Sequence, residues 1–325
     1  MALFVKTAVA APPPPPLVAV ILPRDNARFQ SIHTTFLKYF EKTDTVAGKP
    51  RLYVQSPNSD VMSLRNSIRK ATALGADLIV VYGTRAATAA KQEDFTDPLI
   101  FAAVFDPIAM GLVPSLDRGD MLVTGVFGNA PIQTLFKMLQ DTIGANQLAV
   151  PVEPKFPPGK KQIHVLRKVI CRGAAPTDAA GKSNKPADLC RPDLVPTEMR
   201  SVADVTKAFK TVSDKIDAIY ISDMLPSDAH ADEIIKYATQ AGIPVISQLH
   251  GTADKGAFMT LEADPEEQGR LLAEIADRVI AGDLPEDIPP KIPRKISLII
   301  NLNVAKPLDI QVPFAVLSQT TRVIR

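Results

Sequence analysis

Ala76-Asp77-Leu78-Ile79-Val80-Val81-Tyr82-Gly83-Thr84-Arg85-Ala86-Ala87 decides the fold of this chain. An apolar run without polar alternation, cut short by a glycine, reads as a parallel strand buried on both faces. Pro98-Leu99-Ile100-Phe101-Ala102-Ala103-Val104-Phe105-Asp106-Pro107 repeats the pattern. In open α/β sheets, ligands bind just beyond the carboxyl ends of such strands. Both runs therefore stop where a site is expected. Thr84 is placed to cap the helix that follows, whose first-turn N–H groups would face a ligand.

Strand and helix alternate outward from these two runs. Leu17–Leu22 reads as a strand ending at Pro23-Arg24-Asp25-Asn26. Phe29, Ile32, Phe36 and Phe40 share one face of a helix over 29–41. Arg51–Gln55 is a second strand, and Asp60 begins a helix that Gly75 stops. A helix over 86–92 and a strand over 121–126 complete β-α-β-α-β-α-β, which implies a parallel sheet with right-handed crossovers. The second half repeats the style. Strands are expected at 162–166, 217–221, 243–247, 256–260 and 296–301, and helices at 202–213, 231–240 and 265–281. Pro285–Pro293 is a proline-rich connector. Two similar α/β halves joined by several crossings suggest two lobes with a cleft between them.

Composition bounds the function. The 325 residues are 46% hydrophobic and 22% charged, enough for a sizeable core in one or two domains. A net charge of +2, with no basic tract, argues against nucleic acid as a partner. No apolar run approaches the ~20 residues of a membrane span. Residues 1–11, MALFVKTAVAA, precede five prolines and include the small-x-small pattern Ala8-Val9-Ala10. The apolar stretch is short and has no basic start. It reads either as an incomplete export signal or as a tail without an address, and residues 1–16 are expected to be a disordered, proline-rich segment.

Six segments in order resemble the ABC-transporter substrate-binding proteins of the tryptophan/tyrosine-binding type. Residues 76–87 are similar to that family's ADLIVAIGTPAA, and 98–113 (PLIFAAVFDPIAMGLV) to IPIVFAAVTDPVGAGLV. Thr124-Gly125-Val126 matches the TGV that follows. Residues 201–221 resemble SSSADVQAAFQSL…VDAIYV, 256–269 resemble GALATYGVDYYELG, and 288–305 resemble IPVETPKKFELVINLKTA. The likeness spans about residues 17–165 and 200–313. It implies a type I periplasmic-binding-protein fold: two Rossmann-like lobes with parallel sheets and a ligand cleft between them. The expected first lobe is 17–125 plus 247–283, and the second is 126–246 plus 284–325. The implied role is the extracytoplasmic, periplasmic solute-binding component of an ABC transporter. It would close by hinge motion on a small amino-acid-like or anionic solute, with the permease as partner, no cofactor and a monomeric state. Two alternatives stay open, a ligand-sensing domain that reports to a partner and an enzyme working in the cleft. Gly-x-Ser-x-Gly, Walker A, Gly-x-Gly-x-x-Gly and His-Glu-x-x-His are absent, which disfavours the enzyme.

The chain departs from that family at the strand ends. Arg85 replaces a proline, Ser222-Asp223-Met224 replaces Thr-Asp-Asn, Glu262–Pro265 replaces Gly-Val-Asp-Tyr, and Pro23–Asn26 has its own pattern. The candidate ligand-binding residues are Arg24, Asp25, Thr84, Arg85, Phe105, Asp106, Asp223 and Asp264. All of them but Phe105 also have a plain structural reading. Thr84 and Asp223 are helix caps, Asp106 is a turn initiator, and Arg24 and Asp25 are a solvated pair. Asp264 before Pro265 is a good helix start. Arg85 is a cation in a first helical turn, opposed to the helix dipole, so it calls for an anion, either the ligand or a nearby carboxylate. The ligand anion is expected on the helix after Gly83, with an amine on Asp223 or Asp264. His33, His164, His230 and His250 lack metal-ligand spacing. Residues 166–200 show no helical period and hold the two cysteines, Cys171 and Cys190. An extracytoplasmic setting favours a disulfide between them, and a reduced one favours two free thiols.

Overall fold

In the computed structural model the described residues are 14–42, 49–93, 95–128, 130–173, 191–222 and 224–325. They form two α/β lobes. In the first, β1 (Leu17–Ile21), α1 (Ala27–Lys42), β2 (Arg51–Gln55), α2 (Val61–Ala73), β3 (Leu78–Tyr82), α3 (Gly83–Ala90), β4 (Leu99–Val104) and β5 (Val123–Phe127) follow in order. Their strands make one parallel sheet, β2-β1-β3-β4-β5. Every residue of β3 and β4 is buried, as expected of strands covered by helices on both faces. Asp60 Oδ1 accepts from Ser63 N at 2.9 Å and starts α2, as its position predicts, and Gly75 follows the end of that helix with φ +64°.

The second lobe contains α4 (Ile132–Ile143), β6 (Gln147–Val152), α5 (Pro157–Gly173), β7 (Asp193–Glu198), α6 (Val205–Lys210), β8 (Ala218–Ile221), α7 (Asp228–Ala241), β9 (Val245–Ser247) and β10 (Met259–Ala263). After α8 (Pro265–Ile280) come β11 (Ile296–Asn301), α9 (Leu302–Ala305), α10 (Phe314–Leu317) and β12 (Arg322–Ile324). The sheet order is β12-β11-β10-β9-β8-β6-β7, parallel except for the antiparallel pair β10 and β11.

The chain crosses between the lobes after β5, again between β10 and α8, and back before β11. α8 packs on α1, and Leu272, Ala273 and Ala276 join the first-lobe core with Ile32 and Phe36. Residues 247–283 therefore do not return to the first lobe together. β10 pairs with β9 and β11 in the second sheet, and α8 alone completes the first. Val126 also stays with the first sheet, inside β5, where it bridges to Lys291.

Residues 162–166 are helical rather than a strand. α5 begins with Pro157-Pro158-Gly159, which is tolerated in a first turn because those N–H groups have no intrahelical partner. Ile163, Leu166 and Ile170 then follow at helical spacing, all buried, so 166–173 is not irregular. The strand expected at 256–260 starts later, at Met259, because residues 250–256 form turns and Gly256 has φ +113°. The expected Cys171–Cys190 bridge involves Cys190, which lies outside the described residues.

Candidate functional site in the cleft

Segments that follow β1 and β3 in the first sheet contact segments that follow β6 and β8 in the second, so the lobes meet at strand carboxyl ends, where open α/β sheets place ligands. From the first lobe come the β1–α1 loop, the start of α3 and the segment after β4. From the second come Glu153 to Phe156 after β6, Ser222 after β8, the start of α7, and Gln248 to His250 after β9.

α3 starts tightly. Gly83 has φ +85°, and a Cβ there would lie 2.4 Å from Phe29 Cζ, so only glycine makes this strand-to-helix turn. Thr84 does not cap α3. It is 1% exposed, and its hydroxyl accepts from Phe105 N at 2.8 Å, tying the end of β4 to the end of β3. Phe105 is fully buried in the core. Asp106, at φ +35°, accepts from Ala109 N at 2.9 Å and sets the turn after β4.

Arg85, 8% exposed, crosses the cleft. Its Nη2 donates to Glu153 of the second lobe, and its Cζ lies 4.1 Å from the centre of the Phe156 ring. The anion that a first-turn cation calls for is thus a carboxylate of the chain itself. Burial pulls the Arg85 pKa below its ordinary value, against the opposing effect of Glu153. His230, in the first turn of α7, accompanies this pair. Its Nδ1 is 2.9 Å from Ser227 Oγ, and burial first, then the Arg85 charge, lowers its pKa, with Glu153 opposing.

The lobes also meet at the β1–α1 loop. Asp228 Oδ2 accepts from Ala27 N at 2.8 Å, and Asp228 N donates to the carbonyl of Asp25 at 3.0 Å. Asp25 is exposed and takes part through its backbone; Arg24 turns away to donate to Ser56 O at 2.8 and 3.1 Å. Farther along, buried Arg28 donates to Gly128 O and, at 3.2 Å, to Gln268 Oε1. Gln248 Nε2 donates to Ala130 O at 2.9 Å beside the first crossover. Asp264 caps α8, accepting from Glu267 N at 2.6 Å. Asp223 lies outside the described residues.

Of the residues singled out from sequence, Arg85 alone has its described side chain bonded across the cleft. Glu153, Phe156 and Asp228 are not among the candidates read from sequence, and His230 enters there only as a histidine without metal-ligand spacing. Glu153 sits just past β6, whose run Gln147–Val152 contains Pro151, a residue that argues against a strand.

A family model described as ABC transporter substrate binding protein matches residues 18–174 and 182–324. The chain belongs to that family. A curated relative named Tyrosine-binding protein, from Clostridioides difficile, is 26% identical over 262 residues, 79% of this chain and 70% of the relative. Among solved structures, an ABC domain in complex with L-Trp from Streptococcus pneumonia overlays with a TM-score of 0.78 at 18% identity, covering 96% of this chain and all of the other. A ligand-free, open substrate binding protein with adhesive properties from Clostridium difficile overlays at 0.64 with 20% identity, covering 95% of this chain and 99% of the other. The fold is that of the type I periplasmic binding proteins, and the function is solute binding in the context of ABC transport. No helix among the described residues is long and apolar enough to cross a membrane.

Proposed function

We propose that this substrate-binding protein works outside the cytoplasm as a monomer, captures a small amino-acid-like solute by lobe closure and delivers it to an ABC permease. The observation that carries this reading is the Arg85–Glu153 contact, a cation on the first turn of α3 facing a carboxylate on the opposite lobe. A solute bearing a carboxylate is suited to Arg85 and the α3 N-terminus, where charge-assisted hydrogen bonds and the helix dipole both favour an anion. Thr84 supports this place indirectly, by fixing the strand ends around it. Asp264 is committed to α8, so Glu153 replaces it as the group suited to a solute amine. The names of the relatives, one tyrosine-binding and one complexed with L-Trp, point to the same class of solute.

Native mass spectrometry of protein purified without denaturation tests this directly. An amino acid or other small carboxylate is expected, and adding it back to stripped protein should compact the particle in small-angle scattering without turnover. Recovery of a neutral sugar would overturn the proposal, and conversion of the bound compound would move the protein to the enzymes.

A further inference from the structure

Arg85 is an imperfect occupant of the place it fills. Its guanidinium lies over the Phe156 ring and donates to Glu153 through Nη2, but Nε is buried with no hydrogen-bond partner among the described residues. A buried, unsatisfied donor on a charged group is costly. The side chain also sits in the first turn of α3, where the helix dipole opposes a cation. Burial adds to this, since it disfavours the charge more strongly than Glu153 restores it.

The second-lobe side of the contact carries no such conflict. The Phe156 ring is buried and held just ahead of Pro157-Pro158, while Glu153 keeps 28% of its side chain exposed. An aromatic face beside a carboxylate recognises a compact cation through ring quadrupole and charge-assisted hydrogen bonds together. The lowered pKa of His230 beside it disfavours a competing positive charge there.

We propose that Glu153 and Phe156 form a cation subsite that Arg85 occupies in this structure, and that a solute enters by replacing Arg85 there with its own ammonium or guanidinium group. This deepens the reading of the cleft given above and rests on it. The exchange frees Arg85 for a carboxylate on the same solute. A purely anionic solute would leave Glu153 and Phe156 without their cation. The preferred solute is therefore zwitterionic or cationic, and Arg85 is a built-in competitor that raises the threshold for binding.

Methylguanidinium is a suitable probe because it presents the cation without a carboxylate. In the full chain, Arg85→Ala and Arg85→Met empty the subsite, and the methionine retains most of the packing of the arginine stem. Titration followed by NMR is expected to give saturable binding in either variant at a concentration about tenfold or more below that of wild type, the weight of a displaced charged hydrogen bond. Adding Glu153→Gln should reverse the gain by a similar factor, and adding Phe156→Leu should reverse part of it. Equal affinity in wild type and both Arg85 variants overturns the proposal, as does tight binding that survives Glu153→Gln. The probe needs no native solute. If methylguanidinium fails while amino acids still bind wild type, only the subsite is refuted; if the probe succeeds and no amino acid binds, only the function proposed above is.

Discussion

Replacing Asp228 with alanine is expected to loosen the contact between the lobes without removing either residue of the Arg85–Glu153 pair. Asp228 opens α7 in the second lobe, yet its carboxylate accepts from Ala27 N, the first residue of α1 in the first lobe, at 2.8 Å. It therefore acts as a helix cap supplied across the cleft. The backbone bond from Asp228 N to Asp25 O, at 3.0 Å, survives the substitution. Losing a side-chain cap costs about 1 kcal/mol, with a range of roughly 0.5–2. Opening the lobes exposes Ala27 N to water, so this amount acts on the balance between closed and open forms. Since 1.4 kcal/mol is a factor of ten, the open-to-closed ratio should rise about fivefold. If the open form becomes a large fraction of the population, the apparent affinity for the solute falls by up to the same factor. Small-angle scattering of stripped protein measures the first effect and calorimetry with the recovered solute the second. Asp228→Asn keeps an acceptor oxygen and should lose only the interaction of charge with helix dipole, about 0.3–1 kcal/mol. A scattering curve for Asp228→Ala that superimposes on wild type, with unchanged affinity, would refute the reasoning.

Three further outcomes are expected. Gly83→Ala should destabilise the first lobe by about 2 kcal/mol or more, because φ +85° disfavours a side chain and the new Cβ would lie 2.4 Å from Phe29 Cζ; a melting temperature equal to wild type would contradict this. His250 Nδ1 lies 3.1 Å from Glu262 Oε1, and that hydrogen bond, opposed by burial, raises the His250 pKa above its ordinary value. Its contribution is complete below about pH 6.5 and fades as pH rises through the raised folded value, so His250→Gln should lose stability at pH 6 and match wild type at pH 9 in denaturant titrations. The imidazole is 44% exposed, which keeps this difference under about 1 kcal/mol. Cys171 and Cys190 should give no titratable thiol in unfolded, unreduced protein. Closing a loop of that length should contribute roughly 3 kcal/mol by chain entropy, and two titratable thiols would exclude the bridge.

Much of the fold is legible locally. Unbroken apolar runs such as 78–82 and 99–104 identify buried parallel strands, and Asp60, Gly75 and Asp264-Pro265 mark helix ends within a few residues of the atoms they bond. The start of α5 was not legible, because Pro157-Pro158-Gly159 reads as a breaker although a first helical turn tolerates it. The lobe assignment of β10 was not legible either. Its apolar residues suit any buried strand, and its place depends on pairing with β9, twelve or more residues upstream, and with β11 across the whole of α8.

The site divides in the same way. Sequence alone determined that Arg85 stands where a helix dipole rejects a cation, and hence that an anion must accompany it. Only the tertiary structure decided that Glu153, 68 residues away on another strand end and another lobe, is that anion in this structure. Helix ends and apolar periods are set by interactions within a turn or two of the chain. A contact across a cleft is set by how two separately folded sheets are brought together, and no local pattern records that.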